Sequence, residues 1–199
     1  MKRVLSGILL SAVMTVPALA ALKTGEQAPD FTAQASLAGK AFTFSLADAL
    51  KKGPVVVYFY PSAFTGGCNI EAHTFAENKE KFDAAGASII GVSQDSIERL
   101  NAFSADPQYC AGKIAVASDA NGAIATSYNL TKSAARAGMK DTRGVAIDHG
   151  FTERTTFVLT PDGKVAAVFS SADDKISPAD HVAKSLAAVQ QLAASKTAE

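Results

Sequence analysis

Val55-Val56-Val57-Tyr58-Phe59-Tyr60-Pro61-Ser62-Ala63-Phe64-Thr65-Gly66-Gly67-Cys68 is the stretch whose reading decides the fold. Its first six residues form an unbroken β-branched and aromatic run. A run with no polar alternation predicts a strand buried on both faces, as at the centre of a parallel sheet. Pro61 stops it, and residues 62–67 form a loop. From Cys68 to about Ala85 the pattern turns helical. Ala72, Phe75, Ala76, Lys79 and Phe82 fall at i, i+3, i+4, i+7 and i+10, and only Lys79 is polar, so this stripe can face a core. Gly86 closes the helix.

Outward from this unit the alternation continues. Ser88–Ser93 reads as a second buried strand, Ser96 to about Ala105 as a helix limited by Pro107, and Ile114–Ala117 as a strand. Asn121 can cap a short helix reaching Tyr128. Thr155–Leu159, the turn at Pro161-Asp162-Gly163, and Val165–Phe169 form a hairpin. Ser177-Pro178 opens a final helix with a buried stripe of Val182, Leu186, Val189 and Ala193. On the N-terminal side, Ala41–Phe44 alternates like a short strand and Ser45 caps a short helix that Gly53-Pro54 ends, whereas residues 21–40 read as irregular. Residues 129–153 are long for a plain connector, which suggests a function or an interface. Their charges, Lys132, Arg136, Lys140 and Arg143, otherwise read as a solvated face. Strands alternating with helices, followed by a hairpin and a helix, imply a layered α/β domain.

The 199 residues carry 19 basic and 19 acidic side chains, a balance that argues against a nucleic-acid binder. Lys2 and Arg3, the apolar stretch Val4–Val16, the break at Pro17 and the small residues of Ala18-Leu19-Ala20 make a tripartite secretory signal, with cleavage after Ala20. The apolar stretch is short for a membrane helix, which needs about 20 residues, and no later segment could span a bilayer. The expected organisation is therefore a signal peptide at 1–20 and one domain at 21–199. The protein would be periplasmic or secreted. Cleavage leaves 17 basic against 19 acidic side chains, a net charge of −2. Two cysteines are too few for a disulfide scaffold, although in an oxidising compartment a pair defaults to a disulfide.

Cys68 lies at the carboxyl end of a buried strand and in the first turn of the following helix. Ligands bind at that end of open parallel sheets, and the unpaired N–H groups of a helix N-terminus favour thiolate over thiol. Around it, Pro61-Ser62-Ala63-Phe64-Thr65-Gly66-Gly67-Cys68 matches the Pro-x-x-x-Thr-x-x-Cys motif and resembles the peroxiredoxin family, of the AhpC/TSA-like kind and nearest to its bacterioferritin-comigratory or Q type. Glu71, Ile90-Gly91-Val92-Ser93 with Asp95, Ala117-Ser118-Asp119, Tyr128, and Arg154-Thr155-Thr156-Phe157-Val158-Leu159 followed by Asp162-Gly163 are similar to further family positions. The resemblance spans roughly residues 24–193.

The resemblance implies a thioredoxin-like fold, a central mixed β-sheet flanked by helices, and a thiol-dependent peroxidase acting on hydrogen peroxide or organic hydroperoxides without a cofactor. Cys68 would be the nucleophile that becomes a sulfenic acid, and Arg154 a fixed positive charge beside it. The Thr65 hydroxyl would donate to thiolate or peroxide, Pro61 would shield the sulfur, and the Cys68 N–H would bind peroxide oxygen. The Q type often carries its resolving cysteine five residues after the first. Here that position is His73, read as a helix-surface residue. Cys110, the other thiol, leaves three readings open: it resolves within the chain, it is a bystander or acts across a homodimer, or it forms a static disulfide with Cys68. The first requires an exported thioredoxin-like reductant. The last corresponds to a non-catalytic thioredoxin-fold binding or structural protein, an alternative that the joint presence of Thr65, Cys68 and Arg154 disfavours. A metal site from Cys68, Glu71 and His73 is disfavoured because the spacing scatters them around the helix. No Gly-x-Ser-x-Gly elbow supports a hydrolase.

Overall fold

A computed structural model describes residues 20–197; the segment read as a signal peptide lies outside the described residues but for Ala20. The predicted central strand is β3 (Val55–Phe59), and all five of its residues are buried. It pairs in parallel with β4 (Ser88–Ser93) and antiparallel with β8 (Thr155–Leu159). Outward on one side follow β5 (Ala115–Ser118), β1 (Thr32–Leu37) and β2 (Lys40–Ser45), and on the other β9 (Val165–Ser170), giving the mixed seven-stranded order β2-β1-β5-β4-β3-β8-β9.

Successive side chains of a strand point to opposite faces, so the unbroken apolar run of β3 serves two cores. Val56, Tyr58 and Tyr60 join Ala72, Phe75, Ala76 and Phe82 of α2 (Gly66–Ala84), Leu100 and Phe103 of α3 (Ile97–Ala105) and Val182 and Val189 of α6 (Pro178–Thr197). Val55, Val57 and Phe59 join Leu46 of α1 (Leu46–Leu50), Ala125 of α4 (Ala123–Ser127), Tyr128 and Phe157 on the other face. The helical stripe read from the sequence is therefore the buried face of α2. Phe75 is fully buried and stacks on Tyr58 with centroids 4.6 Å apart; burying such a side chain contributes about 1.5–3 kcal/mol. The Tyr58 ring lies over its register partner Gly91, where a Cβ would come within 2.5 Å of it.

Helix ends follow local chemistry. Ser45 and Ser96 cap α1 and α3 by accepting from the N–H groups of Asp48 and Arg99. After α2, Gly86 adopts φ +73°, and Ala87 N and Gly86 N bond back to the carbonyls of Phe82 and Asp83 at 2.9 Å each. That is a Schellman closure. At α4, Asn121 Oδ1 accepts only from Ala123 N. The Asp119 carboxylate takes the N–H groups of Ile124 and Ala125 at 2.9 and 2.8 Å, so Asp119 is the principal cap.

Two expectations are corrected. Residues 21–40 are not irregular throughout, because they contain β1. Its sequence, Thr-Ala-Gln-Ala-Ser-Leu, carries little β propensity, but six register pairs with β2 and two with β5 hold it. Residues 129–153 hold a small ladder of β6 (Lys132–Ser133) and β7 (Phe151–Thr152). They are also not simply a solvated face: Lys132 bonds Gly122 O and Thr126 Oγ1, and Arg143 packs on the Phe64 ring. A four-residue helix, α5 (Ser171–Asp174), precedes α6. Among the described residues no helix is long and apolar enough to cross a membrane.

Candidate active site

Sheet register assembles the site. Because β3 and β4 run parallel, with Phe59 opposite Val92, their carboxyl ends meet at one edge. Because β8 runs antiparallel, with Phe59 opposite Thr155, its amino end reaches the same edge and places Arg154 beside Tyr60. Residues 61–65 cross that edge into α2. Thr65 holds the N-cap position without using its side chain as a cap, and the first backbone bond of the helix runs from Asn69 N to Thr65 O at 2.8 Å. The N–H groups of the first turn, Cys68 included, have no intrahelical partner.

The Cys68 thiol sits in this turn, 2% exposed. Arg154 Nη2 donates to Cys68 Sγ at 3.2 Å, and Nη1 pairs with Glu71 Oε2. The fork of the guanidinium thus spans two groups one helical turn apart, which a single ammonium cannot do. Glu71 is fully buried and its Oε1 has no partner among the described residues. Burial pushes its carboxyl up to about 7, although Arg154 pulls the other way. A Cβ at Gly67 would press on Arg154 Nη2 at 3.2 Å and on Pro178 Cγ at 3.4 Å, so a bare backbone admits the guanidinium. Behind it, Ser171 N bonds Arg154 O at 3.1 Å, and His181 is held between Thr156 Oγ1 and Ser171 Oγ at 2.9 Å each. Burial and the Arg154 charge push the His181 imidazole down to about 4, which keeps it neutral beside the arginine.

The loop before Cys68 is held by Asp95. This buried carboxylate accepts from Ala63 N (2.8 Å), Ser62 Oγ (3.1 Å), Ser93 Oγ (2.6 Å), Arg99 Nε (2.7 Å) and His149 Nε2 (2.8 Å). Burial alone would raise its pKa, but the bonds from His149, Ser93 and Ala63 outweigh it and hold Asp95 below the usual carboxylate range. His149 is raised in turn, since the bond and charge of Asp95 outweigh burial.

The structure brings Cys68, Arg154, Thr65 and Pro61 to one edge. It changes the part expected of Thr65, whose hydroxyl proton goes to Ser62 O at 2.7 Å. That oxygen is left to accept a hydrogen bond, not to donate one. Pro61 and Thr65 also line an open cleft of about 220 Å³ with Ser133, Arg136, Met139 and Phe151. His73 lies on the helix surface, 3.3 Å from Glu77, and takes no part. Asp119 and Tyr128, matched to family positions in the sequence, serve the fold: Asp119 caps α4, and Tyr128 donates to Pro29 O at 2.9 Å.

Cys110 and Cys68 are both free thiols, so a standing disulfide between them is absent. Cys110 lies in the turn between α3 and β5, fully buried, in the same core as Cys68. Burial pushes its thiol up, out of the thiolate range. Sequence reading missed Arg99, His149 and His181. Asp95 and Glu71 stood within matched motifs, but no local signal tied them to a role.

The AhpC/TSA family model matches residues 24–168. Peroxiredoxin Bcp of Xanthomonas campestris is 32% identical over 136 residues, covering 68% of this chain and 76% of its own. Among solved structures, peroxidoxin BcpB of Mycobacterium tuberculosis superposes with a TM-score of 0.68 at 30% identity, over 85% of this chain and 97% of that one. The bacterioferritin comigratory protein of X. campestris, whose structure is described in terms of its alkyl peroxide reduction activity, gives a TM-score of 0.63 at 27% identity, over 82% and 92%.

Proposed function

The chain belongs to the AhpC/TSA family and is a thiol-dependent peroxidase, and from that premise we propose that Cys68 is its peroxidatic nucleophile and Cys110 its resolving thiol. The observation that carries the first assignment is Arg154 Nη2 at 3.2 Å from Cys68 Sγ, at the open first turn of α2. The thiolate attacks one peroxide oxygen. The S–O bond forms as the O–O bond breaks, and the departing hydroxide or alkoxide takes a proton. Arg154 and the first-turn N–H groups face the charge that moves from sulfur to oxygen, and Thr65 Oγ accepts from the peroxide O–H. The product is a Cys68 sulfenic acid.

Cys110 then attacks that sulfur. An S–S bond forms, the S–O bond breaks, and the hydroxyl leaves as water with the Cys110 proton. A thiol held protonated by burial is a poor nucleophile, so this step requires Cys110 to leave its core position. An exported dithiol protein of thioredoxin type returns both thiols, because the signal at residues 1–20 directs the chain out of the cytoplasm. The cleft beside Pro61 and Thr65, with Met139 and Phe151 in its wall, suits the carbon chain of an organic hydroperoxide, in keeping with the alkyl peroxide reduction ascribed to the X. campestris protein.

Intact mass and free-thiol titration of the reduced protein after one equivalent of hydrogen peroxide test both assignments. Loss of both thiols with two hydrogens lost supports them, and a gain of one oxygen with Cys110 free refutes the second. No reaction, with Cys68→Ser unchanged from wild type, refutes the first.

A further inference from the structure

Phe64 precedes Cys68 in the chain and packs in the same core cluster as Cys68 and Cys110. Its φ is +60°, a left-handed conformation that a non-glycine residue rarely adopts. Four residues before Cys68, it turns the loop into α2. Its ring packs edge-on against Phe103 (5.0 Å) and Tyr109 (5.7 Å), in the fully or partly buried cluster that also holds Cys110. Phe64 therefore joins the peroxidatic turn to the turn that carries Cys110.

Something outside both turns holds Phe64 there. Thr142 N and Oγ1 both donate to Phe64 O at 2.9 Å. The Arg143 guanidinium lies over the Phe64 ring, 3.2 Å from its centroid. Asp141 fixes that guanidinium at 2.8 Å and ties it to Arg99 at 2.8 Å. Arg99 in turn reaches Ala63 O at 2.9 Å, with its own Cζ 5.5 Å from the same ring. The segment 139–150 is thus a strap across the loop, anchored at its other end by His149 on Asp95.

We propose that Arg143 is a positioning residue for the resolving step: with Thr142 and Asp141 it latches Phe64, and release of that latch sets how fast oxidised Cys68 reaches Cys110. The proposal rests on Cys110 being the resolving thiol. Both thiols are buried and unbonded with Phe64 in place, so disulfide formation passes through an opened state in which Phe64 has left the Phe103–Tyr109 cluster. Peroxide attack needs the closed state, in which Arg154 sits on Cys68. Removing the cation over the ring raises the open fraction without depleting a dominant closed state. A contact of this kind is worth about 1 kcal/mol, or about fivefold in the opening equilibrium. Disulfide formation in Arg143→Ala accelerates by that factor, while the peroxide step stays within about twofold of wild type.

The test follows intact mass in wild type, R143A, R143K and C110S, alkylated at successive times after one equivalent of hydrogen peroxide. The peroxide step is measured separately by competition with horseradish peroxidase. The expected result is that the species with one added oxygen decays to the disulfide about fivefold faster in R143A, with R143K between. Decay at or below the wild-type rate in R143A, or parallel slowing of both steps, overturns the latch and leaves Arg143 as a fold contact. If wild type and C110S keep the added oxygen equally long, the resolving role of Cys110 fails, and the latch fails with it. Disulfide formation that is lost in C110S but unchanged in R143A overturns the latch alone.

Discussion

Replacing Arg154 by Lys keeps the positive charge and removes the fork. In the structure one guanidinium nitrogen serves Cys68 Sγ at 3.2 Å and the other serves Glu71 Oε2. A lysine ammonium is a single point on a flexible stem and reaches one of them at a time. If it takes Glu71, the thiolate loses a charge-assisted hydrogen bond of about 1.5–3 kcal/mol, which at about 1.4 kcal/mol per decade corresponds to roughly 10–150-fold in rate. If it takes Cys68, buried Glu71 loses its partner and protonates, since neutralising it costs less than burying a bare carboxylate. The expected outcome is a fall of about 10–100-fold in the second-order rate with hydrogen peroxide. The chain has no Trp, so the rate is read by competition against horseradish peroxidase. Iodoacetamide alkylation at the same pH separates two causes: loss of thiolate slows both reactions alike, whereas loss of transition-state stabilisation slows only the peroxide reaction. The expected pattern is a larger fall for peroxide. A peroxide rate within threefold of wild type, with an unchanged melting temperature, would refute the proposal that the fork holds Cys68 for reaction.

Glu71→Gln fixes the neutral form of a carboxyl that titrates near 7, so the inflection expected near that pH in the wild-type peroxide rate should vanish while the rate itself persists; an inflection kept in the variant would assign it elsewhere. His149→Gln removes a group whose folded pKa is raised by Asp95. Its contribution is fully present below the unfolded value of about 6.5 and is lost as pH rises through the folded value. The melting-temperature difference between wild type and H149Q should therefore be largest near pH 5 and shrink towards pH 9, and a difference independent of pH would contradict the His149–Asp95 charge pair.

What the sequence disclosed and what it withheld follow from the range of the forces involved. Val55–Phe59 was readable because both faces of a central strand are covered, and that coverage leaves its mark on every residue. Thr32–Leu37 was not, because its alanines and polar residues become a strand only once Phe42 and Phe44 of β2 lie opposite Ala35 and Ala33. The motif from Pro61 to Cys68 marked Cys68 as the candidate nucleophile, yet not the direction of the Thr65 hydrogen bond, which depends on where the Ser62 carbonyl turns. Arg143 looked like a solvated charge. Nothing near it in the chain announces Phe64, 79 positions earlier, and the contact exists only because Asp141 and Arg99 orient the guanidinium. His149 and Asp95 meet across 54 positions with no pattern linking them.

The same reasoning explains why Arg154 is reachable from sequence only through resemblance. By itself it is a charge before a strand, and the register of β8 on β3 gives it meaning. With Phe59 opposite Thr155, Arg154 falls one step past the paired residues, level with Tyr60, on the side where α2 begins. A slip of one residue would turn every side chain of β8 to the other face. It would drive Thr156 out of its bond with His181 and leave Glu71 buried without a cation. The buried pairs Thr156–His181 and Arg154–Glu71 therefore penalise the wrong register while serving the right one. The hairpin is locked by the contacts that place a positive charge on the Cys68 sulfur.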